Sequence, residues 1–125
     1  MDKKDIKKIQ EVFKKYPKVK LAYFFGSRNR GNFNKDSDYD FAVYAKETNN
    51  VLMFKLRLKL MDEISRVLKN DNVDVVALNG LDNPILKFEV LKEGTLIYEV
   101  EPYKVLLEPQ ILNEYTDFML TFRKN

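Results

Sequence analysis

Two strand-like runs joined by a polar, glycine-containing segment constrain the fold of this chain more than any other feature. Residues 19–25 read Val-Lys-Leu-Ala-Tyr-Phe-Phe, and residues 39–45 read Tyr-Asp-Phe-Ala-Val-Tyr-Ala. Aromatic, β-branched and aliphatic residues in such runs favour strands. Because both faces of the first run are apolar, we expect a sheet that is covered by other elements on both sides.

The rest of the chain alternates between helical and extended patterns. Residues 2–15 predict an amphipathic helix that is capped near Asp2 or Asp5 and stopped by Pro17. Further elements are expected in chain order, namely a short helical turn at 28–30 that ends at Gly31, a helix at about 51–69, a strand at 73–78, a helix from Asn83-Pro84 to Gly94 and a strand at 95–100. With 125 residues, the chain has the size of one domain.

Two helices carry apolar stripes whose burial is predicted from their spacing. In helix 51–69, the Leu and Met positions, including Leu52, Leu56 and Leu60, are predicted to face the core. Glu108-Pro109 is predicted to start a final helix, with a stripe formed by Ile111, Leu112, Tyr115, Phe118, Met119 and Phe122. This helix either packs on its own core or serves as a docking surface for a partner, and the spacing allows both.

The sequence contains no Cys and no His, which excludes several kinds of chemistry. Disulfides, thiol nucleophiles, Ser-His-Asp triads and His-ligated zinc are ruled out, so acid–base catalysis falls to carboxylates, Lys or Tyr. A net charge of +3 is too small to predict a nucleic-acid-binding protein by itself. The charged amino terminus argues against a signal peptide, and the lack of a long apolar run argues against a membrane span. We therefore expect a cytoplasmic protein.

Two carboxylates stand close together where the second strand-like run begins. Asp38 and Asp40 are two residues apart, so on a strand their side chains leave the same face with Cα atoms roughly 6.5 to 7 Å apart. Such like charges repel each other unless a cation lies between them. Oxygen ligands without His or Cys predict Mg²⁺ or Mn²⁺, which proteins hold with a few carboxylates and substrate phosphates.

A phosphate-binding turn is predicted directly after the first run. Gly26-Ser27 follows the strand, and a glycine there allows close approach of the backbone, so that N–H and hydroxyl groups can face an anion. Arg28 and Arg30 add positive charge next to this turn. Each of these two arginines either contacts the bound phosphate or is an exposed arginine without such a contact.

Gly26-Ser27, ten intervening residues and Asp38-Tyr39-Asp40 resemble the signature of the DNA polymerase β-like nucleotidyltransferase superfamily. The small size and the run 84–99 resemble its minimal nucleotidyltransferase (MNT) members, including the MntA-like antitoxins. The resemblance implies the polymerase β-like nucleotidyltransferase fold, an α/β (α+β) architecture with a mixed central sheet of about four strands and helices packed on it. It covers roughly residues 1–100 as the MNT domain, and residues 101–125 are interpreted as a C-terminal extension.

The family uses a third carboxylate on a later strand, and Asp74 occupies the expected place in the run 73–78. The resemblance implies that Asp38 and Asp40 hold two divalent ions, while Asp74 binds one of them and helps to activate the acceptor hydroxyl. Gly26 and Ser27 would hold the β- and γ-phosphates, and pyrophosphate would leave. Taken alone, Asp74 also fits an exposed strand start or a pair with a lysine.

As a function, the resemblance implies transfer of AMP from ATP to a tyrosine of a HEPN (HepT-like) ribonuclease toxin, which this chain would silence as its antitoxin, with a hetero-oligomer as the expected assembly. One alternative is a binding antitoxin that neutralises by complex formation. Another is a transferase that acts on a small molecule or an RNA end.

Overall fold

The computed structural model describes residues 1–124, which form five helices and four strands. In chain order these are α1 (Lys3–Lys14), β1 (Val19–Phe25), α2 (Ser27–Arg30), β2 (Tyr39–Ala45), α3 (Asn50–Leu68), β3 (Val73–Ala77), α4 (Pro84–Glu93), β4 (Thr95–Glu99) and α5 (Tyr103–Lys124). Asn125, the last residue of the predicted extension 101–125, lies outside the described residues. None of the helices in residues 1–124 is long and apolar enough to cross a membrane.

The four strands form one mixed sheet with the order β3-β2-β1-β4. Strand β1 is antiparallel to both β2 and β4, whereas β2 and β3 are parallel. Parallel neighbours require a crossover connection, and α3 provides it between β2 and β3. The predicted mixed four-stranded sheet is therefore confirmed.

Apolar clusters cover both faces of the sheet, as the apolar faces of β1 predict. On one face, Ile9 and Phe13 of α1 and Leu60 and Ile64 of α3 are fully buried and pack against the strands. On the other face, buried strand residues pack with α4 and with the first turns of α5, and this cluster contains Leu21, Tyr23, Ala42, Leu78, Val90 and Leu107. The fold is thus three layers, with the sheet in the middle.

Local capping explains why α1, α3 and α4 begin where the sequence predicts. Asp2 and Asp5 form a reciprocal capping box at the start of α1. Asn49 accepts hydrogen bonds from the first turn of α3, and Asn83 accepts one from the Leu86 N–H ahead of Pro84. The predicted starts of these three helices are confirmed. Each start depends on a few neighbouring residues, so it can be predicted from the sequence.

The predicted burial of α3 is confirmed on one stripe and wrong beside it. Met53, Leu60 and Ile64 are buried, but Leu52 is 47% exposed. Leu52 lies about 100° around the helix from Met53, beyond the stripe that reaches the sheet. Val51, Phe54 and Leu58 are exposed as well, so the amino-terminal half of α3 carries an apolar surface toward solvent.

The final helix begins at Tyr103, and the predicted start at Glu108-Pro109 is wrong. Pro109 lies inside α5, where it lacks the N–H that would bond to the Val105 carbonyl. Val105 is 74% exposed, so water can hydrate that carbonyl and the helix continues.

One side of α5 packs on the body of the protein. Ile111 is buried, the Tyr115 ring stacks on Phe88 with centroids 3.9 Å apart, and the Tyr23 hydroxyl donates to Glu108 at 2.8 Å. Other large apolar side chains of α5 are exposed. Val105, Leu106, Leu112 and Leu120 lie away from the packed stripe, whereas Phe118 and Phe122 continue the stripe of Ile111 and Tyr115 toward the carboxyl end of the helix. The docking role of this helix stays a prediction.

Candidate active site

The sheet register brings the predicted carboxylates and the Gly26 turn to one end of the sheet. Asp40 in β2 pairs with Asp74 in β3 through the parallel register, and with Phe25 in β1 through the antiparallel register. Gly26 follows Phe25 directly, and Asp38 lies just ahead of β2. Residues from three separate segments therefore meet around Asp40.

The Asp40 carboxylate leaves no room for a side chain at position 26. Its φ of +84° is a conformation that side-chain-bearing residues rarely adopt, and a Cβ atom at this position would collide with the Asp40 carboxylate. The Gly26 carbonyl accepts from the N–H groups of Asn29 and Arg30, both at 3.1 Å, and so starts the short helix α2. The glycine thus lets the turn and the carboxylate approach each other closely.

The environment of Asp40 disfavours its charged form. Burial, followed by the charges of Asp38 and Asp74, raises the pKa of Asp40 from 3.8 to about 6, while the positive charge of Arg30 acts in the opposite direction. Asp38 is exposed, and Asp40 and Asp74 are partly buried. A cation bound here would relieve this repulsion.

The donor set fits a hard divalent cation in its chemistry. Three carboxylates adjoin each other, and the sequence offers no nitrogen or sulfur ligand from His or Cys. Within residues 1–124, however, no three acidic side chains already surround one point closely enough to coordinate an ion. Binding would therefore require these carboxylates to rotate toward a common centre.

The two arginines of α2 have different surroundings. Arg28 donates from Nε to the Ser37 carbonyl at 2.8 Å, and its guanidinium carbon lies 4.0 Å from the centroid of the Tyr39 ring. Arg30 is exposed, and its Nη1 lies 3.9 Å from a carboxylate oxygen of Glu93. A phosphate contact stays a prediction for both, and Arg30 has the more open position.

Sequence reasoning missed the residue that fastens α2 to the rest of the fold. The Asn29 side chain donates to the Glu93 carbonyl at 2.8 Å and accepts from the Thr95 hydroxyl at 2.8 Å. These contacts tie the Gly26-Ser27 turn to the junction of α4 and β4. Nothing in the local sequence signals a contact to residues more than sixty positions away.

The site is open rather than enclosed. A cavity of about 400 Å³ lies at the other end of β2, where Tyr44, Lys46 and Asn79 contribute to its lining, and none of the predicted site residues lines it. The carboxylates instead lie at an end of the sheet that solvent reaches. A site of this kind suits a large acceptor better than a small molecule that needs an enclosed pocket.

The sequence of the chain matches a known family over most of its length. Residues 7–103 match the model described as polymerase beta, nucleotidyltransferase. The chain therefore belongs to this nucleotidyltransferase family, and the predicted fold class is confirmed.

Individual relatives are similar over most of the same region. The protein adenylyltransferase MntA of Aphanizomenon flos-aquae (strain 2012/KM1/D3) is 36% identical over 92 residues, which are 68% of this chain and 60% of that protein. The protein adenylyltransferase MntA of Shewanella oneidensis (strain MR-1) is 28% identical over 100 residues, which are 79% of this chain and 68% of that protein. The match thus spans less than two thirds of the Aphanizomenon relative's length.

Solved structures share the fold over nearly the entire chain. A toxin–antitoxin crystal structure with AMP-PNP matches with a TM-score of 0.77 at 23% identity, covering 99% of this chain and 94% of the matched chain. The tri-AMPylated Shewanella oneidensis HEPN toxin in complex with MNT antitoxin matches with a TM-score of 0.75 at 22% identity, with the same coverage. At these identities the likeness shows a common fold.

Proposed function

We propose that this chain is a metal-dependent protein adenylyltransferase that moves AMP from ATP to a tyrosine of a HEPN-family toxin and thereby acts as its antitoxin. The observation that carries the proposal is the position of Asp40, which adjoins Asp38 and Asp74 and also contacts the space that Gly26 leaves free. This arrangement suits a site that must hold cations and a polyphosphate side by side.

Each group would have a distinct task in the transfer. Asp38 and Asp40 would hold two ions, Mg²⁺ or Mn²⁺, with Asp74 on one of them, and these ions would neutralise charge on the attacking and leaving oxygens. The backbone of Gly26-Ser27 would orient the β- and γ-phosphates of ATP, with Arg30 facing the leaving group.

The proposed transfer takes place at the α-phosphate of ATP. The tyrosine oxygen forms a bond to the α-phosphorus, the bond from that phosphorus to the bridging oxygen breaks, and pyrophosphate leaves. The hydroxyl proton passes to the carboxylate of Asp74. The absence of His therefore poses no obstacle to this reaction.

The acceptor is inferred from the relatives. Two relatives are named protein adenylyltransferases, and a structure with the same fold contains a HEPN toxin that carries AMP groups. The open sheet end around Asp40 suits a protein acceptor because a docked partner can supply the remaining walls of the site.

A second candidate is an antitoxin that neutralises its partner by contact. The exposed apolar residues of α5 support it, because such a surface can bind a partner whether or not AMP is transferred. A transferase of a small molecule or an RNA end is the third reading, and no contact in the described residues favours it.

The deciding experiment is the intact mass of a protein encoded beside this chain or co-purifying with it, before and after incubation with the chain, ATP and Mg²⁺. Mass steps of about 330 Da, one for each AMP added, support the proposal. The Asp38→Asn/Asp40→Asn variant should give no step. Asp71→Asn/Asp82→Asn, which changes the net charge equally at two exposed positions, should modify the partner normally.

The result that contradicts the proposal is an unmodified partner in a tight complex, which would favour neutralisation by contact. Modification of an RNA end or a small molecule in a reaction without the partner would favour the third reading.

A further inference from the structure

The side chain of Arg28 is bound to the loop that leads to Asp38. Nε donates to the Ser37 carbonyl at 2.8 Å, and Nη2 donates to the Lys35 carbonyl at 3.3 Å. Both acceptors are main-chain oxygens in the last three residues before Asp38. One of the two edges with which a guanidinium can make a bidentate phosphate contact, formed by Nε and Nη2, is therefore already occupied.

Aromatic rings also contact the guanidinium. Its central carbon lies 4.0 Å from the ring centroid of Tyr39 and 4.8 Å from that of Phe33. Phe33 is the one large apolar side chain of the polar segment 31–38 and is 51% exposed. Contact with a cation explains why an aromatic residue stands at such an exposed place.

The remaining hydrogen bonds of the loop are mostly internal. The Asn34 N–H donates to the Ser37 hydroxyl, the Asp36 N–H to the Asn34 side chain, and the Ser37 N–H to the Asn34 carbonyl. These bonds shape the loop without fastening it to the sheet. At the start of the loop, the N–H groups of Gly31 and Asn32 donate to the Ser27 carbonyl of α2, the latter at 3.0 Å. The contact from the Asn72 side chain to the Asp36 carbonyl is long at 3.5 Å.

We propose that Arg28 is a positioning residue that locks the loop 31–38 onto α2 and thereby sets Asp38 at the correct place beside Asp40 for metal binding. Arg28 then acts through Asp38 and does not bind the nucleotide phosphates, whereas the open position of Arg30 leaves it to face them. The inference rests on the proposed function, because it assumes that Asp38 is a metal ligand.

The variant Arg28→Lys keeps the positive charge of this side chain but loses the planar guanidinium that bonds to the loop. It therefore separates the effect of the charge from the effect of the hydrogen-bond geometry. Two measurements on the full chain test the proposal, namely Mn²⁺ binding followed by electron paramagnetic resonance without nucleotide, and hydrogen exchange of the amides of residues 32–38. We expect about 10- to 100-fold weaker Mn²⁺ binding, as for other residues that orient metal ligands, together with faster exchange in the loop. Arg30→Lys should change neither quantity.

A second pair of variants changes the contact between the Phe33 ring and the guanidinium while Arg28 itself is kept. Phe33→Ala should shift both quantities in the same direction by a smaller factor, and Phe33→Tyr, which keeps the ring, should restore them. Because Phe33 is largely exposed, neither change threatens the fold.

Unchanged exchange in Arg28→Lys would overturn the proposal, and so would faster exchange with unchanged Mn²⁺ binding. Unchanged Mn²⁺ binding with weaker AMP-PNP binding would instead assign Arg28 to the phosphates. A wild-type chain that binds no Mn²⁺ would refute the metal-dependent function, and the exchange of residues 32–38 would still decide whether Arg28 holds the loop.

Discussion

Asp40 of β2 and Asp74 of β3 lie directly opposite each other in a parallel register. Neighbouring strands are about 4.8 Å apart, so two acidic side chains on one face at this distance oppose folding when both are charged. Asp38 adds a third negative charge to the same neighbourhood. The chain thus accepts a local cost in stability at the place where its proposed chemistry occurs.

Replacing Asp40 by Asn should stabilise the metal-free protein. The change removes the repulsion and the burial of a charge, and we expect the free energy of unfolding in EDTA to rise by up to about 1 kcal/mol. Transfer activity should disappear in the same variant. Chemical denaturation in EDTA, with Asp82→Asn as the control at an exposed turn, measures the first effect, and a loss of stability in Asp40→Asn would contradict it.

Divalent ions should stabilise the wild-type chain and not the variant. An ion that binds the folded state alone raises stability in proportion to the logarithm of its concentration. Thermal unfolding at increasing Mn²⁺ should therefore show a rising midpoint for wild type and a constant one for Asp40→Asn. Equal shifts in the two proteins would place the binding elsewhere.

Replacing Gly26 by Ala should disrupt the site and destabilise the chain. The added Cβ meets the Asp40 carboxylate, and the positive φ adds a conformational cost of about 1–2 kcal/mol. The matched control is Gly80→Ala, since Gly80 also has positive φ (+82°) but has open space where its Cβ would lie. We expect both variants to lose stability in urea denaturation, and nucleotide binding to fail in Gly26→Ala alone; normal binding in Gly26→Ala would contradict the close approach.

Strand alternation, caps and motif spacing were readable from the sequence because each depends on residues a few positions apart. The Gly26-Ser27 turn, Asp38 and Asp40 belong to that class. Asp74 joined them through the register of β2 and β3, which the sequence implied by resemblance rather than by local pattern.

Features that depend on distant partners were less accessible. The contacts of Arg28 and Asn29 are set by where a loop and a strand end lie in three dimensions. Asn29 therefore looked like a generic polar position, and Arg28 was interpreted only as a cation beside the phosphate-binding turn. Leu52 was misassigned because an apolar helical position has the same appearance whether it faces the sheet or solvent. Pro109 was read as a helix start because its tolerance inside α5 depends on a solvated turn.

Glu63 should make stability depend on pH. The Lys15 ammonium, at 2.6 Å, and then the Tyr16 hydroxyl lower the pKa of the Glu63 carboxyl below 4.5. A lowered pKa in the folded state means that the stabilisation is present above pH 4.5 and is lost as the pH falls through the folded-state pKa.

We therefore expect Glu63→Gln to be less stable than wild type at pH 7, by about 1 kcal/mol or less because Lys15 is exposed. The gap should narrow in urea denaturation as the pH falls from 7 to 3. Glu11→Gln is the control, since Glu11 pairs with Lys14 at 3.0 Å but both side chains are 61% exposed. A gap that stays constant from pH 7 to pH 3 would show that packing rather than charge is responsible.

The buried and the exposed residues of α5 should respond differently to substitution. Phe122 is 70% exposed, so Phe122→Ser should change the free energy of unfolding by no more than about 0.5 kcal/mol. Ile111 is buried, and Ile111→Ala should cost about 2–5 kcal/mol. If the exposed apolar residues of α5 form the docking surface, Phe122→Ser should nevertheless weaken the complex with the HEPN-family partner.

Titration calorimetry with that partner provides the measurement, and Thr121→Ser, an exposed change on the same turn that keeps the hydroxyl bonded to the Asp117 carbonyl, provides the control. Weaker binding by Phe122→Ser at unchanged stability would separate docking from folding. An unchanged dissociation constant would remove Phe122 from the interface and direct the search toward the exposed apolar side chains of α3, where Phe54 and Leu58 offer the next substitutions.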